Sequence, residues 1–120
     1  MTEAEAQAFA IEWIAAWNSH DLERILTHYA EDISVTSPLI ARVLGTNQDT
    51  VTGKLALRAY WGPALARFPE LNFKLFAALP GTRSVVIYYQ SVLSLVGAEF
   101  MEFDDEGRVR RVVAHYTREA

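Results

Sequence analysis

The chain has 120 residues, of which 51% are hydrophobic and 22% are charged, a composition typical of one globular domain with one core. The formal net charge of -4 argues against nucleic acid as a partner, because phosphate binding needs lysine and arginine concentrated on one face. The absence of cysteine excludes disulfides, thiolate metal sites and a cysteine nucleophile.

No run of about 20 apolar residues is present, so the sequence predicts no membrane span. The first residues, MTEAEAQAF, lack the basic region and the apolar stretch of a secretory signal peptide. We therefore expect a cytoplasmic protein that has no membrane partner.

Hydrophobic residues in the N-terminal part recur at helical spacing. Residues 3–17 present one broad apolar face and predict a helix, which a tight corner joins to a second helix ending near Glu31. Tyr29 continues the apolar spacing of this second helix and is assigned to it. The alternation that begins at Ile33 predicts a strand, which ends at Pro38 because proline lacks the N–H that a sheet requires.

Residues 39–52 show no sustained period and predict a loop. A third helix is expected from about Gly53, with a kink or break near Gly62 because Pro63 cannot donate a helical hydrogen bond. From Asn72 onward the pattern changes to the alternation of strands. Four strands are predicted, at residues 72–79, 84–92, 97–104 and 108–117.

The order of these elements, with helices first and strands last, predicts the fold class. It favours an α+β fold with an antiparallel sheet that is covered on one face, rather than an alternating parallel fold. We expect a single domain over residues 1–120, in the order helix, helix, strand, helix and then four strands.

Three segments carry a family pattern when they are taken in order: EWIAAWNSHDLERILTHYAEDISVTSP, GKLALRAYW and EFMEFDDEGRVRRVVAHY. Together they resemble the nuclear transport factor 2-like superfamily, particularly its SnoaL-like proteins. The resemblance implies a cone-shaped, curled antiparallel sheet with three helices over its concave side and a ligand pocket at the open end. Members include isomerases, cyclases, dehydratases and non-catalytic transport or scaffold proteins, so the fold alone does not define an activity.

The ketosteroid isomerase branch of that superfamily offers the sharpest comparison. Its pattern has a tyrosine on the first helix, an aspartate that acts as the base just before the strand-ending proline, and a protonated aspartate on the strand before the last turn. The resemblance makes these positions correspond here to Trp13, Ser37 and Glu99. Ser37 cannot replace a carboxylate that abstracts a carbon-bound proton, so ketosteroid isomerase activity is not expected. Glu99 keeps a carboxyl group. On an apolar face its pKa would rise above the usual value of about 4.3, which would let it donate a hydrogen bond or a proton.

His115 is the other residue capable of acid-base chemistry, because imidazole exchanges protons near neutral pH. Strand alternation places His115 on one face with Val109 and Val113, and Tyr116 on the other. The isomerase-like register points Tyr116 into the pocket and His115 outward, whereas a bulge near the strand end would reverse this. His115 is therefore a conditional partner for Glu99.

Aromatic and apolar side chains are expected to form the wall of the pocket. The candidate ligand-binding residues are Trp13, Trp17, Tyr29, Ser37, Tyr60, Trp61, Met101, Phe103 and Tyr116. Core packing alone explains the helical aromatic residues more simply, although one ring can serve both as core and as pocket wall. Ser37 also suits a hydrogen bond at the strand end.

No metal site or cofactor is expected. The three histidines lack a metal-binding spacing, and phosphate-binding and dinucleotide-binding motifs do not occur.

Two classes of function remain open from the sequence. The first is a cofactor-independent isomerase, cyclase or dehydratase that acts on a small apolar molecule, with Glu99 as the acid and His115 as a conditional base. The second is a non-catalytic module that binds a small apolar ligand or dimerises. A homodimer through the outer face of the sheet is expected from the family, with Val109 and Val113 as its apolar contacts.

Overall fold

The computed structural model describes residues 1–118, which form four α-helices and six β-strands. The helices are α1 (Glu3–Asn18), α2 (Leu22–Leu26), α3 (Pro38–Leu44) and α4 (Lys54–Arg67). The strands are β1 (Tyr29–Thr36), β2 (Thr50–Thr52), β3 (Lys74–Pro80), β4 (Ser84–Gln90), β5 (Leu95–Phe103) and β6 (Val109–Arg118). None of the helices in this range is long and apolar enough to cross a membrane.

All six strands belong to one curled, open sheet in the order β2-β1-β6-β5-β4-β3. The predicted α+β class and the four C-terminal strands are therefore confirmed. One pairing differs from the antiparallel expectation, because β1 and β6 run parallel. A parallel pair needs a long connection between its strands, and here all the intervening elements provide it.

Helix α1 begins with a capping box, in which Thr2 and Glu5 each accept a hydrogen bond from the other's backbone N–H. Its buried face consists of small and aromatic side chains. These are Ala6, Ala10, Trp13, Ala16 and Trp17. The alanines allow the helix to approach the sheet closely, and the two tryptophans fill the space beneath it.

The second helix is shorter than predicted. It ends at Leu26, and Tyr29 begins β1 instead of completing a helical turn. The helical spacing was misleading because a strand residue on the concave face is buried equally well, and Tyr29 is only 1% exposed. Its pairing with Val109 of β6, which is distant in sequence, decides in favour of the strand.

The segment predicted as a loop contains α3 and β2. Ser37 caps α3 by accepting a hydrogen bond from the Leu39 N–H at 3.2 Å, and Pro38 occupies the first turn, where its missing N–H costs nothing. Gly45 ends the helix in the left-handed conformation with φ of 67°. Pro38 thus ends the strand as predicted but also starts a helix.

Helix α4 continues from Lys54 to Arg67 with Pro63 inside it, so the helix does not break there. Leu57 before the proline and Leu65 after it are both buried. Packing on both sides of Pro63 therefore holds the two halves in one helix.

A bulge at the start of β6 changes which side chains face outward. Glu102 pairs with Arg111 and Phe103 pairs with Val109, so β6 holds one extra residue there. Val109 is consequently buried in the core, and its expected place on the outer face is wrong. Beyond the bulge the register is regular.

The outer face of β3 and β4 carries exposed aromatic side chains. Phe76 and Tyr88 are 44% and 43% exposed, and their ring centroids are 5.2 Å apart. Dimerisation through the outer face of the sheet, which was expected with Val109 and Val113 as its apolar contacts, remains a prediction.

A buried hydrogen bond joins two large side chains in the core between α1 and the sheet. The Trp13 Nε1–H donates to the Tyr29 hydroxyl at 2.8 Å, and each residue is 1% exposed. Trp13 also packs against Phe73 and Tyr89, with ring centroids 5.8 Å and 5.1 Å away. The Trp13 N–H and the Tyr29 hydroxyl are thereby paired with each other, whereas the buried Nε1–H of the neighbouring Trp17 has no hydrogen-bond partner among residues 1–118.

Removing the Tyr29 hydroxyl should destabilise the fold. In Tyr29→Phe the buried Trp13 N–H loses its acceptor, which is expected to reduce the free energy of unfolding by about 1–3 kcal/mol in urea titrations. Tyr88→Phe is the matched control, and a change below about 0.5 kcal/mol is expected because Tyr88 is partly exposed. Equal losses in both variants would contradict a structural role for this bond.

Candidate functional site

A cavity of about 120 Å³ lies between the helices and the concave face of the sheet, and it is partly open to solvent. Helices α1 and α4 contribute an aromatic wall that includes Trp17, Tyr60 and Trp61. Its volume is close to that of an apolar cavity of about 150 Å³ that holds a benzene ring. The cavity therefore encloses about one six-membered ring.

Six of the site residues predicted from the sequence line this cavity. They are Trp17, Ser37, Tyr60, Trp61, Glu99 and Tyr116. Trp13, Tyr29 and Met101 are buried in the core outside the lining. Phe103 packs against Phe9 with a centroid distance of 4.9 Å and does not reach the cavity.

Glu99 is the acidic group of the cavity wall. It lies on β5, where it pairs with Ile87 of β4 and Ala114 of β6, and it is 8% exposed. The Tyr89 hydroxyl donates a short hydrogen bond to its Oε2 atom. Burial raises the pKa of Glu99 to about 7, and the Tyr89 hydrogen bond limits this rise. The carboxyl group is consequently divided between its neutral and ionised forms at neutral pH.

Tyr89 and Tyr116 remain protonated beside this carboxyl group. Burial and the neighbouring negative charge of Glu99 raise the pKa of both phenols above the ordinary range. Tyr116 and Ser37 line the same cavity wall as Tyr89 and Glu99. The cavity wall thus carries a polar strip that runs through Ser37, Tyr116, Tyr89 and Glu99.

Ser37 does not supply a base to this strip. It is 6% exposed and lines the cavity, but its hydroxyl also accepts the capping hydrogen bond at the start of α3. Among the described residues that line the cavity, Glu99 alone carries a group that titrates near neutral pH. Proton transfer at this site would therefore depend on a single carboxyl group.

His115 and Glu99 lie on opposite faces of the sheet. Glu99 pairs with Ala114, which lines the cavity, whereas His115 pairs with Ala98 and is exposed. The bulge in β6 lies before Arg111, so it does not reverse the alternation at the strand end. The structure therefore does not bring the two candidate catalytic residues together, and it points Tyr116 inward.

Tyr89 is the main residue that sequence reasoning missed. It lies on β4 with Val85 and Ile87 on the buried face, a period-two pattern that marks an inward position. The same pattern does not reveal that its hydroxyl meets Glu99, because this contact depends on the pairing of β4 with β5. Residues 1–118 contain no group of three or more histidine or acidic side chains arranged to hold a metal ion.

The raised pKa of Glu99 predicts a pH-dependent stability. The unfolded state ionises near pH 4.5 and the folded state near pH 7, so the contribution of the neutral acid is full below pH 4.5 and is lost as the pH rises to about 7. The shift corresponds to about 3 kcal/mol. Wild type should therefore lose stability relative to Glu99→Gln over this range in urea titrations at several pH values.

Glu102→Gln is the control, because Glu102 lies on the outer face of the same strand, where its carboxylate accepts a hydrogen bond from the Arg110 side chain. Its pH profile should follow that of the wild type. A Glu99→Gln profile that is parallel to the wild-type profile between pH 4.5 and 8 would contradict the burial argument.

Comparison with known proteins places this chain in a family. The model of the SnoaL-like domain matches residues 10–120. A SnoaL-like protein of unknown function from Burkholderia thailandensis is 40% identical, with 97% of each chain covered and a TM-score of 0.93. A search of curated proteins gave no match.

More distant structures share the fold. A candidate isomerase of the SnoaL-like family from Agrobacterium tumefaciens is 20% identical over 95% of this chain and 98% of that chain, with a TM-score of 0.76. A candidate ketosteroid isomerase from Kribbella flavida is 20% identical over 98% of this chain and 82% of that chain, with a TM-score of 0.72. The match of the family model over residues 10–120 and the 40% identity to the Burkholderia thailandensis protein show that the chain belongs to the SnoaL-like domain family.

Proposed function

We propose that this protein is a cofactor-independent isomerase that moves a proton within a small cyclic carbonyl compound. The observation that carries the proposal is the Glu99 carboxyl group, buried in an apolar cavity with its pKa raised to about 7. A general acid or base is most effective when its pKa lies near the working pH. Isomerase is also the name given to two of the related structures.

The reaction class follows from the number of titrating groups. Among the described residues that line the cavity, Glu99 has no second base beside it, so the same group must both accept a proton and deliver one. An allylic isomerisation meets this condition. The Glu99 carboxylate removes a proton from the carbon next to the carbonyl, and the electron pair forms an enolate. The neutral Glu99 acid exchanges its proton with solvent and then protonates the enolate at the γ-carbon, which restores the carboxylate.

Tyr116 is the group best placed to stabilise the enolate. It lines the cavity, it stays protonated, and it is a diagonal neighbour of Glu99 on the concave face, because Gly97 pairs with Tyr116 and Glu99 with Ala114. Its O–H can donate to an oxygen on which negative charge develops. Tyr89 instead directs its proton to Glu99 and thereby favours the ionised form that acts as the base.

The size and lining of the cavity limit the substrate. A volume of about 120 Å³ encloses one ring, so most of a polycyclic molecule would remain outside. The aromatic wall of Trp17, Tyr60 and Trp61 favours an apolar ring. We therefore propose a monocyclic, unsaturated ketone or a compound of similar size as the substrate class.

A specific observation also favours a second function. Ser37 occupies the position at which the isomerase pattern has its base, and without that base the cavity could bind a small apolar ligand without converting it. The two functions differ in whether a bound compound exchanges its carbon-bound protons.

Proton exchange in deuterated water provides the test. With a β,γ-unsaturated cyclohexenone, the wild type should catalyse both deuterium incorporation and formation of the conjugated isomer, followed by proton NMR and ultraviolet absorbance. Because only the carboxylate acts as a base, the rate should rise with pH and level off above about 7.

Substitutions assign the roles. Glu99→Gln should lower the exchange rate by about 10²-fold or more, and Tyr116→Phe should lower it without shifting the pH midpoint. Glu102→Gln, on the outer face, should match the wild type. Binding without exchange in the wild type would support the non-catalytic function, and unchanged exchange in Glu99→Gln would rule out the proposed base.

A further inference from the structure

Gly97 lies in the middle of β5, between two tyrosines on the neighbouring strands. It pairs with Tyr89 of β4 on one side and with Tyr116 of β6 on the other. Glycine in a strand interior weakens the strand and contributes no side chain to packing, so it commonly marks a place where another group approaches the backbone closely. Here the approaching groups are the rings of these two tyrosines.

The space above Gly97 is filled by those rings. A Cβ atom at this position would lie 2.7 Å from Cε1 and 2.9 Å from Cζ of Tyr89, and 3.2 Å from Cε1 of Tyr116. Carbon atoms that are not bonded attract each other best at about 3.5–4.0 Å, so the first two separations are strongly repulsive. Any residue other than glycine would force the Tyr89 ring to move.

The Tyr89 ring has little room to withdraw. Its centroid lies 4.9 Å from that of Phe73 and 5.1 Å from that of Trp13, and the residue is 1% exposed. Close-packed interiors of this kind accommodate an added methyl group only by displacing side chains. The displacement would act on the hydroxyl that donates to Glu99.

We propose that Gly97 is a positioning residue for Glu99. Its bare backbone allows the Tyr89 ring to lie across β5, so that the Tyr89 hydroxyl reaches the carboxyl group two residues farther along the same strand. The catalytic meaning of this arrangement rests on the proposed function, because it assumes that Glu99 is the base. The packing itself does not depend on catalysis.

The test measures the titration of Glu99 in ligand-free protein by NMR of glutamate labelled with ¹³C at the carboxyl carbon. Gly97→Ala should raise the pKa of Glu99 above its value of about 7, because the Tyr89 hydrogen bond that lowers this pKa is lost. Tyr89→Phe should raise it by a similar amount. The double variant Gly97→Ala/Tyr89→Phe should show no further rise, since both changes remove the same bond.

Gly62→Ala is the matched control. A Cβ atom at Gly62 meets only the Leu22 Cδ2 atom, at an ordinary distance of 3.6 Å, so this variant should leave the Glu99 titration unchanged. The proposal is overturned if Gly97→Ala leaves the pKa unchanged while Tyr89→Phe raises it, or if the two shifts add. Because no substrate is present, failure of the isomerase assay would count against the proposed function and not against this result.

Loss of folding in Gly97→Ala would also be informative. Gly97→Ala/Tyr89→Leu removes the ring that the new methyl group would strike, and it should recover cooperative thermal unfolding if that collision is the cause. If the double variant does not recover, the proposed contact between Gly97 and the Tyr89 ring is overturned.

Discussion

The contact between Tyr89 and Glu99 is the constraint around which the concave face of the sheet is organised. Ionising a carboxyl group that is only 8% exposed is costly in free energy. The hydrogen bond that the Tyr89 hydroxyl donates to Glu99 offsets part of this cost. The Tyr89 ring is held by Trp13 and Phe73 on the helix side and by the bare backbone of Gly97 beneath it. The resulting carboxyl group can be either neutral or charged at neutral pH.

The core between this contact and α1 contains hydrogen bonds of its own. Trp13 and Tyr29 pair with each other, whereas the buried Nε1–H of Trp17 on the cavity wall has no hydrogen-bond partner among residues 1–118. The Asn18 side chain makes two hydrogen bonds with the backbone of Phe73, at 3.0 Å and 2.6 Å, and this anchors the cavity wall to the end of α1. The cavity wall is therefore mostly apolar, and its polar groups are several hydroxyls, the Trp17 N–H and a single carboxyl group.

Local patterns predicted the long elements correctly and failed for the short ones. Helix α1 and strands β3 to β6 carry enough periodic residues for the helical or strand period to be recognised. The spacing of Tyr29 fits a helix as well as a strand, and only its pairing with Val109 distinguishes the two. Helix α3 was missed although Ser37, Pro38 and Gly45 carry ordinary start and stop signals, because seven residues are too few to show a period.

By itself the sequence determined the α+β class, the family resemblance and the alternation that places Tyr116 and His115 on opposite faces of one strand, because alternation and the order of elements are local properties. Only the tertiary structure decided that Tyr89 meets Glu99, that Gly97 makes room for its ring and that His115 lies on the other face. These features depend on the register between strands and on the position of the bulge in β6. Both are set by packing between segments that are distant in sequence, which no single-strand pattern contains.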